Sequence, residues 1–252
     1  MIKKIAFNLF ILSVMFSSSA GLSAKTKEDK LKNTLDVYQL SYVEREPGVD
    51  EYEVTMLVSD RYIRIDQSGE DSGFIVYDDK DKVIYSVSHH DESVLVIKEH
   101  VFSEKTLPVK YETEYLQLAD SPTVSGNAIF NYRVYTGKGE AEETCLEIQL
   151  VENLLPEVTT LLKNYQNIIS GQQVKMTDNK LSDMQTACFF VDQIYNMGKY
   201  YEKGLPIQEW HSNERFKVLS TYKKIAVSPG KFTIPEKYRQ FSVDKNSKTF
   251  LK

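Results

Sequence analysis

Between Leu35 and Ile97 the chain alternates apolar and polar residues in short runs, each closed by a polar turn, at intervals of about ten residues. Tyr52, Val54, Met56 and Val58 alternate with Glu53, Thr55 and Ser59, with Leu57 as the one apolar residue on the polar side. A period of two puts one side of a strand on a core and leaves the other to water. Tyr62–Asp66 (YIRID) follows the turn Asp60-Arg61, and Phe74–Tyr77 leads into the charged turn Asp78–Asp81. Val83, Tyr85 and Val87 alternate with Ser86 and Ser88, and a further turn at His90–Glu92 precedes Val94–Ile97. Short strands so spaced predict an antiparallel meander. Sixteen tyrosines and twelve phenylalanines suit half-buried strands.

The pattern continues through Tyr111–Leu118, Ala128–Tyr135 and Thr144–Val151. In the last of these, strict alternation places Cys145 opposite the apolar side made by Leu146, Ile148 and Leu150. Two helices then interrupt the strands. Leu154, Leu155, Val158, Leu161, Leu162, Tyr165, Ile168 and Ile169 recur at helical spacing, with Pro156 and Glu157 suited to a first turn. Met184, Ala187, Cys188, Val191, Ile194 and Tyr195 form the apolar side of the second, and Ser182 with Gln185 fits a capping box. Gly204-Leu205-Pro206 stops that helix, and strands resume at Ile207–Trp210 and Phe216–Val227. Residues 34–242 read as a single domain between a flexible lead-in (21–33) and a charged tail (243–252), with Phe232–Tyr238 as a compact end-piece.

At the N-terminus, Lys3 and Lys4 precede a mostly apolar run, Ile5–Phe16, and the small residues Ser17–Ala20. This predicts a cleavable signal peptide over residues 1–20, with Ala24 as the alternative end, and a periplasmic or secreted product. No cysteine lies near the cleavage region, so no lipoprotein anchor is expected, and no other stretch has the roughly 20 apolar residues of a transmembrane helix. Without its two leader lysines the chain carries 29 Lys and Arg against 36 Asp and Glu, a balance of −7 that speaks against a nucleic-acid partner. Export places Cys145 and Cys188, the only cysteines, in an oxidising compartment and predicts a disulfide between them, one that adds about 4 kcal/mol by restricting the unfolded chain.

Three stretches carry a family resemblance: the YIRID strand feeding short hairpins, Gly204-Leu205-Pro206-Ile207 opening the final antiparallel pair, and Val227–Tyr238 (VSPGKFTIPEKY) with Phe232 and Pro235. In layout the chain resembles the outer-membrane lipoprotein carrier-like group of periplasmic proteins. The resemblance implies an α+β fold: a strongly curved antiparallel sheet, a half-barrel, whose concave face is covered by helices and holds acyl chains or an extended peptide. Under it, Val54, Met56, Val58, Ile63, Ile65, Tyr85 and Val87 are the candidates to line an apolar cavity; ordinary core beneath the helices is the competing reading of the same residues.

No catalytic or cofactor motif accompanies this pattern. His89 and His90 with Asp91 and Glu92 read as a hairpin turn rather than a metal site, and no His-Glu-x-x-His is present. There is no Cys-x-x-Cys and no Gly-x-Ser-x-Gly, and Gly137-Lys138-Gly139 is too short for a phosphate loop. Asp78-Asp79 and Glu142-Glu143 read as solvated carboxylates. The sequence therefore points to a non-enzymatic carrier of a lipid, an acylated protein or another apolar ligand, without cofactor. An assembly module binding an envelope protein through a sheet edge or helix face is the alternative, and a hydrolase whose site forms only in three dimensions is the third reading.

Overall fold

The computed structural model of the chain describes residues 34–67, 73–101, 109–176 and 186–242. The expected signal peptide, lead-in, Ser182–Gln185 capping box and charged tail lie outside the described residues. Six strands form the first meander: β1 (Leu35–Arg45), β2 (Tyr52–Val58), β3 (Tyr62–Gln67), β4 (Phe74–Asp78), β5 (Val83–Ser88) and β6 (Ser93–Lys98). Then come β7 (Tyr111–Gln117), β8 (Ile129–Thr136), β9 (Glu143–Val151), helix α1 (Pro156–Met176) and a short helix α2 (Ala187–Phe190). Strands β10 (Leu205–His211), β11 (Phe216–Val227) and β12 (Arg239–Phe241) close the chain.

All twelve strands form one sheet in the order β12-β6-β5-β4-β3-β2-β1-β11-β10-β9-β8-β7. Neighbours pair antiparallel except β12, which runs parallel to β6. The architecture is thus predominantly β, a single large mixed sheet, and not the α+β half-barrel with helices over a concave face that the sequence implied. Two physical causes separate expectation from structure. The second helix keeps its α form for only four residues, because Cys-Phe-Phe-Val is a run of weak helix formers; Thr186 caps it by accepting from Phe189 N at 3.1 Å. It passes into a π-turn at Val191–Tyr195 and then a 3-10 turn at Lys199–Glu202. The C-terminal end-piece, too short to show a period, supplies the parallel strand that makes the sheet mixed.

Among the described residues one long helix therefore packs on the sheet. Val158, Leu161, Leu162, Tyr165 and Ile168 of α1 share a core with Leu40, Val58, Ile63, Ile84, Ile148 and Leu150 from the strands. A side chain at Gly171 would meet the His100 carbonyl oxygen at 2.3 Å, so glycine permits the close approach of α1 to the end of β6. Ser170 Oγ donates to the Ile194 carbonyl at 2.7 Å and ties α1 to the π-turn. The opposite side of the sheet carries two smaller clusters. Phe232 covers Val37 and Leu57, which gives the apolar Leu57 its partner. Ile234 and Tyr238 cover Phe74, Val76, Val83, Val87, Val94 and Val96. No helix among the described residues is long and apolar enough to cross a membrane.

Candidate functional site

Strand β10 carries Glu209 and His211 two residues apart, so both project from one side of the strand. A register shift between Pro206 and Gln208 decides which side. Beyond it Glu209 pairs with Ile148 and His211 with Leu146, residues of the core beneath α1. Without that one-residue slip Gln208 and Trp210 would take those places. Glu209 also pairs with Lys217 of β11, and Lys217 with Glu44 of β1, so Glu44, Lys217 and Glu209 form a charged row across three strands on the helix-covered side.

Asp192 completes the cluster from the π-turn, a distortion that recurs at functional sites. The disulfide Cys145–Cys188 lies one turn before it and joins α2 to β9 with a Cα–Cα distance of 4.8 Å. His211 Nδ1 donates to Asp192 Oδ1 at 2.9 Å. Arg215, in the β10–β11 turn, donates to Asp192 Oδ2 at 3.3 Å, and Gln193 donates to the same oxygen at 2.6 Å. Burial alone would raise the Asp192 carboxyl, but the His211 hydrogen bond and the charges of His211 and Arg215 hold it below the usual carboxylate range. Glu209 is 5% exposed, accepts from the Tyr200 hydroxyl at 3.3 Å and lies 3.9 Å from His211 Nε2. Lys217 pairs with Glu44 at 3.1 Å and sits 4.2 Å from the Tyr42 ring centre.

Apart from Gln193 and Tyr42, these groups border a pocket of about 170 Å³, which Glu46, Gln166, Met197 and Phe216 also line. Four carboxylates (Glu44, Glu46, Asp192 and Glu209) face two permanent cations, Arg215 and Lys217. The lining includes no serine, threonine or cysteine, so it offers no side-chain nucleophile of those kinds. Among the described residues no group of three or more His, Cys, Asp or Glu is arranged to hold a metal ion. The arrangement suits holding a positively charged group.

Buried tyrosines surround the cluster. Burial first, and then the Glu209 and Glu44 carboxylates, push Tyr42 well above its ordinary value; burial and the Glu209 and Asp192 charges do the same to Tyr200. Burial, followed by the neighbouring Tyr200 and Glu209, raises Tyr201 likewise, and burial brings Tyr165 to about 12. A raised tyrosine contributes stability that is complete below the unfolded value of about 10 and is lost as pH climbs toward the folded values. A spectrophotometric titration should therefore find these four tyrosines protonated beyond about pH 10, ionising only as the far-ultraviolet dichroism collapses. Ionisation of all sixteen near pH 10 with the dichroism intact would contradict their burial.

The residues proposed from sequence for an apolar cavity divide between the two sides of the sheet. Val54, Met56, Val58, Ile63 and Ile65 come together in the core under α1 and are at most 8% exposed. Tyr85 and Val87 belong to the cluster on the other side. Ile65 and Val87 also border a shallow pocket of about 250 Å³ with Gly73, Phe74, Ile75, Ser86 and Ser88. The Cys145–Cys188 disulfide is present as expected. His89 and His90 lie in the expected hairpin turn, where His89 contacts the Tyr238 hydroxyl at 2.9 Å. Asp78 departs from the solvated reading: it is 7% exposed and held by Arg61, whose Nε donates to it at 2.8 Å. The Asp192–His211–Glu209 cluster was not found from the sequence. Its readable signal was Glu209-x-His211 within a strand that opens on the apolar Leu205 and Ile207.

No family model matches the chain, and no curated protein does. Among solved structures the chain is similar to an uncharacterized conserved protein from Thermus thermophilus, with 10% identity and a TM-score of 0.39 over 87% of this chain and 99% of that one. It is also similar to PNGF-II, with 7% identity and a TM-score of 0.38 over 83% of this chain and 31% of the other. Likenesses this faint carry no argument about fold or activity.

Proposed function

We propose that the chain is an exported, non-enzymatic binding protein of the periplasm that holds a small ligand through a positively charged group. The observation that carries this reading is the pocket at β10, where four carboxylates outnumber two permanent cations and three of the lining groups, Asp192, His211 and Glu209, are nearly buried. Burying charge is costly unless partners or a ligand compensate it. An incoming ammonium or guanidinium supplies the missing positive charge and the N–H donors. The apolar-cargo form of the reading, which the likeness to lipoprotein carriers implies, rests on side chains that here fill the core.

Calorimetric titration of the full chain with ethylammonium, guanidinium and spermidine tests the proposal. Saturable binding of at least one, weakened about tenfold or more in Glu209→Gln, is expected. Palmitate binding with no response to any of the three cations would overturn the polar reading and restore the apolar one.

A further inference from the structure

The side of the sheet turned away from α1 is covered by the C-terminal segment over the first meander, through Phe232, Ile234 and Tyr238. Over β8–β11 no hydrophobic cluster of the described residues covers this side, and Trp210, the chain's single tryptophan, is 40% exposed there. Cross-strand pairing sets its surroundings. Trp210 pairs with Phe216 on β11 and with Glu147 on β9, and Glu147 pairs with Arg133 on β8. Two residues along the strands a second row runs parallel to this one: Gln208 pairs with Gln149, and Gln149 with Asn131. Three carboxamides thus stand side by side at the strand spacing of about 4.8 Å, next to an exposed indole.

The two arginines at this surface are already engaged, so neither is free to draw an anion. Arg133 bonds Glu142 at 2.6 Å, Asn131 donates to Glu147 at 3.0 Å, and the Arg45 guanidinium lies 4.6 Å from the Phe216 ring centre. Among the described residues the Gln149 and Gln208 side chains make no hydrogen bond, so their donors and acceptors are available. A ligand complementary to this surface carries no negative charge, has a flat apolar side to lie on the indole, and has hydroxyls at its edge that both donate and accept. A pyranose sugar has that chemistry. An indole offers large rigid contact area at low entropic cost, and a carboxamide matches a hydroxyl in both roles.

We propose that the outer side of β8–β11 binds a neutral oligosaccharide, one sugar ring stacked on Trp210 and its neighbours hydrogen-bonded along Gln208, Gln149 and Asn131. Trp210, Gln208, Gln149 and Asn131 do not line the β10 pocket, so this proposal does not rest on that one. Titration of the full chain with cellohexaose and with chitohexaose, followed by calorimetry and by the emission of the single tryptophan, is the test. At least one sugar should bind saturably and shift that emission. Trp210→Ala should weaken binding about tenfold or more, and Gln149→Ala and Gln208→Ala about threefold to tenfold each. Glu209→Gln, whose side chain points to the other side of the sheet, should bind as the parent does. Absence of binding to both sugars at about millimolar concentration, unchanged affinity in a folded Trp210→Ala chain, or tighter binding of an unfolded peptide than of either sugar would overturn the proposal.

Discussion

Asp192→Ala is expected to lower the unfolding free energy by about 3 kcal/mol, the low end of the range for removing one partner of a buried ion pair. The Asp192 carboxylate takes hydrogen bonds from His211, Arg215 and Gln193, and its side chain is 10% exposed. Without it His211, 6% exposed, loses its closest partner inside the protein. Arg215 is 31% exposed and can turn to water, which keeps the cost from the upper end of the range. The depressed folded value fixes the pH dependence. The contribution is complete above the unfolded aspartate value of about 3.9 and is lost as pH falls through the lower folded one. Denaturant unfolding of the two chains should therefore differ most near neutrality, and the gap should narrow below about pH 4. A gap that widened in acid would mean that the folded value of Asp192 lies above the unfolded one, the opposite of the expected direction.

The second large effect is expected at the disulfide. Cys145 and Cys188 are 43 residues apart, and cross-linking a loop of that length stabilises by about 4 kcal/mol in the chain-entropy account. The double change to serine should cost about that much and should also loosen the segment bearing Asp192, because the bond fastens α2 to β9 one turn before it. Affinity for the organic cation should then fall further than in a chain destabilised equally by a core truncation such as Leu162→Ala. Equal affinities in the two destabilised chains would show that the bond supports the fold without positioning the site.

Cys145 also shows how far the alternation of the sequence could be trusted. Strict alternation turned it away from the core, yet it is fully buried in the same cluster as Leu146. The register slip between Val134 and Tyr135 leaves Cys145 unpaired opposite β8 and lets it face α2. The slip in β10 leaves Ile207 unpaired and turns Glu209 and His211 to the side of Ile148 and Leu146. Strand existence follows from local composition, whereas the phase of a strand depends on bulges set by its neighbours, which no local pattern encodes. The strands from Leu35 to Lys98 and helix α1 were therefore legible: each repeats its period for long enough to be read. The four-residue α2, the π-turn and the three-residue β12 were not, since none spans a full period. The candidate site was least legible of all, because Glu44, Asp192, Glu209 and Lys217 meet only once β1, β10 and β11 are neighbours in space.

Amide chemical-shift mapping of the full chain, titrated separately with spermidine and with palmitate, tests the location of the ligand most directly. Spermidine is expected to move the resonances of Glu44, Asp192, Glu209, His211 and Lys217, and palmitate to leave the core beneath α1 undisturbed. Shifts from palmitate centred on Val58, Ile63 and Leu162, with none from spermidine around β10, would contradict a polar site at β10.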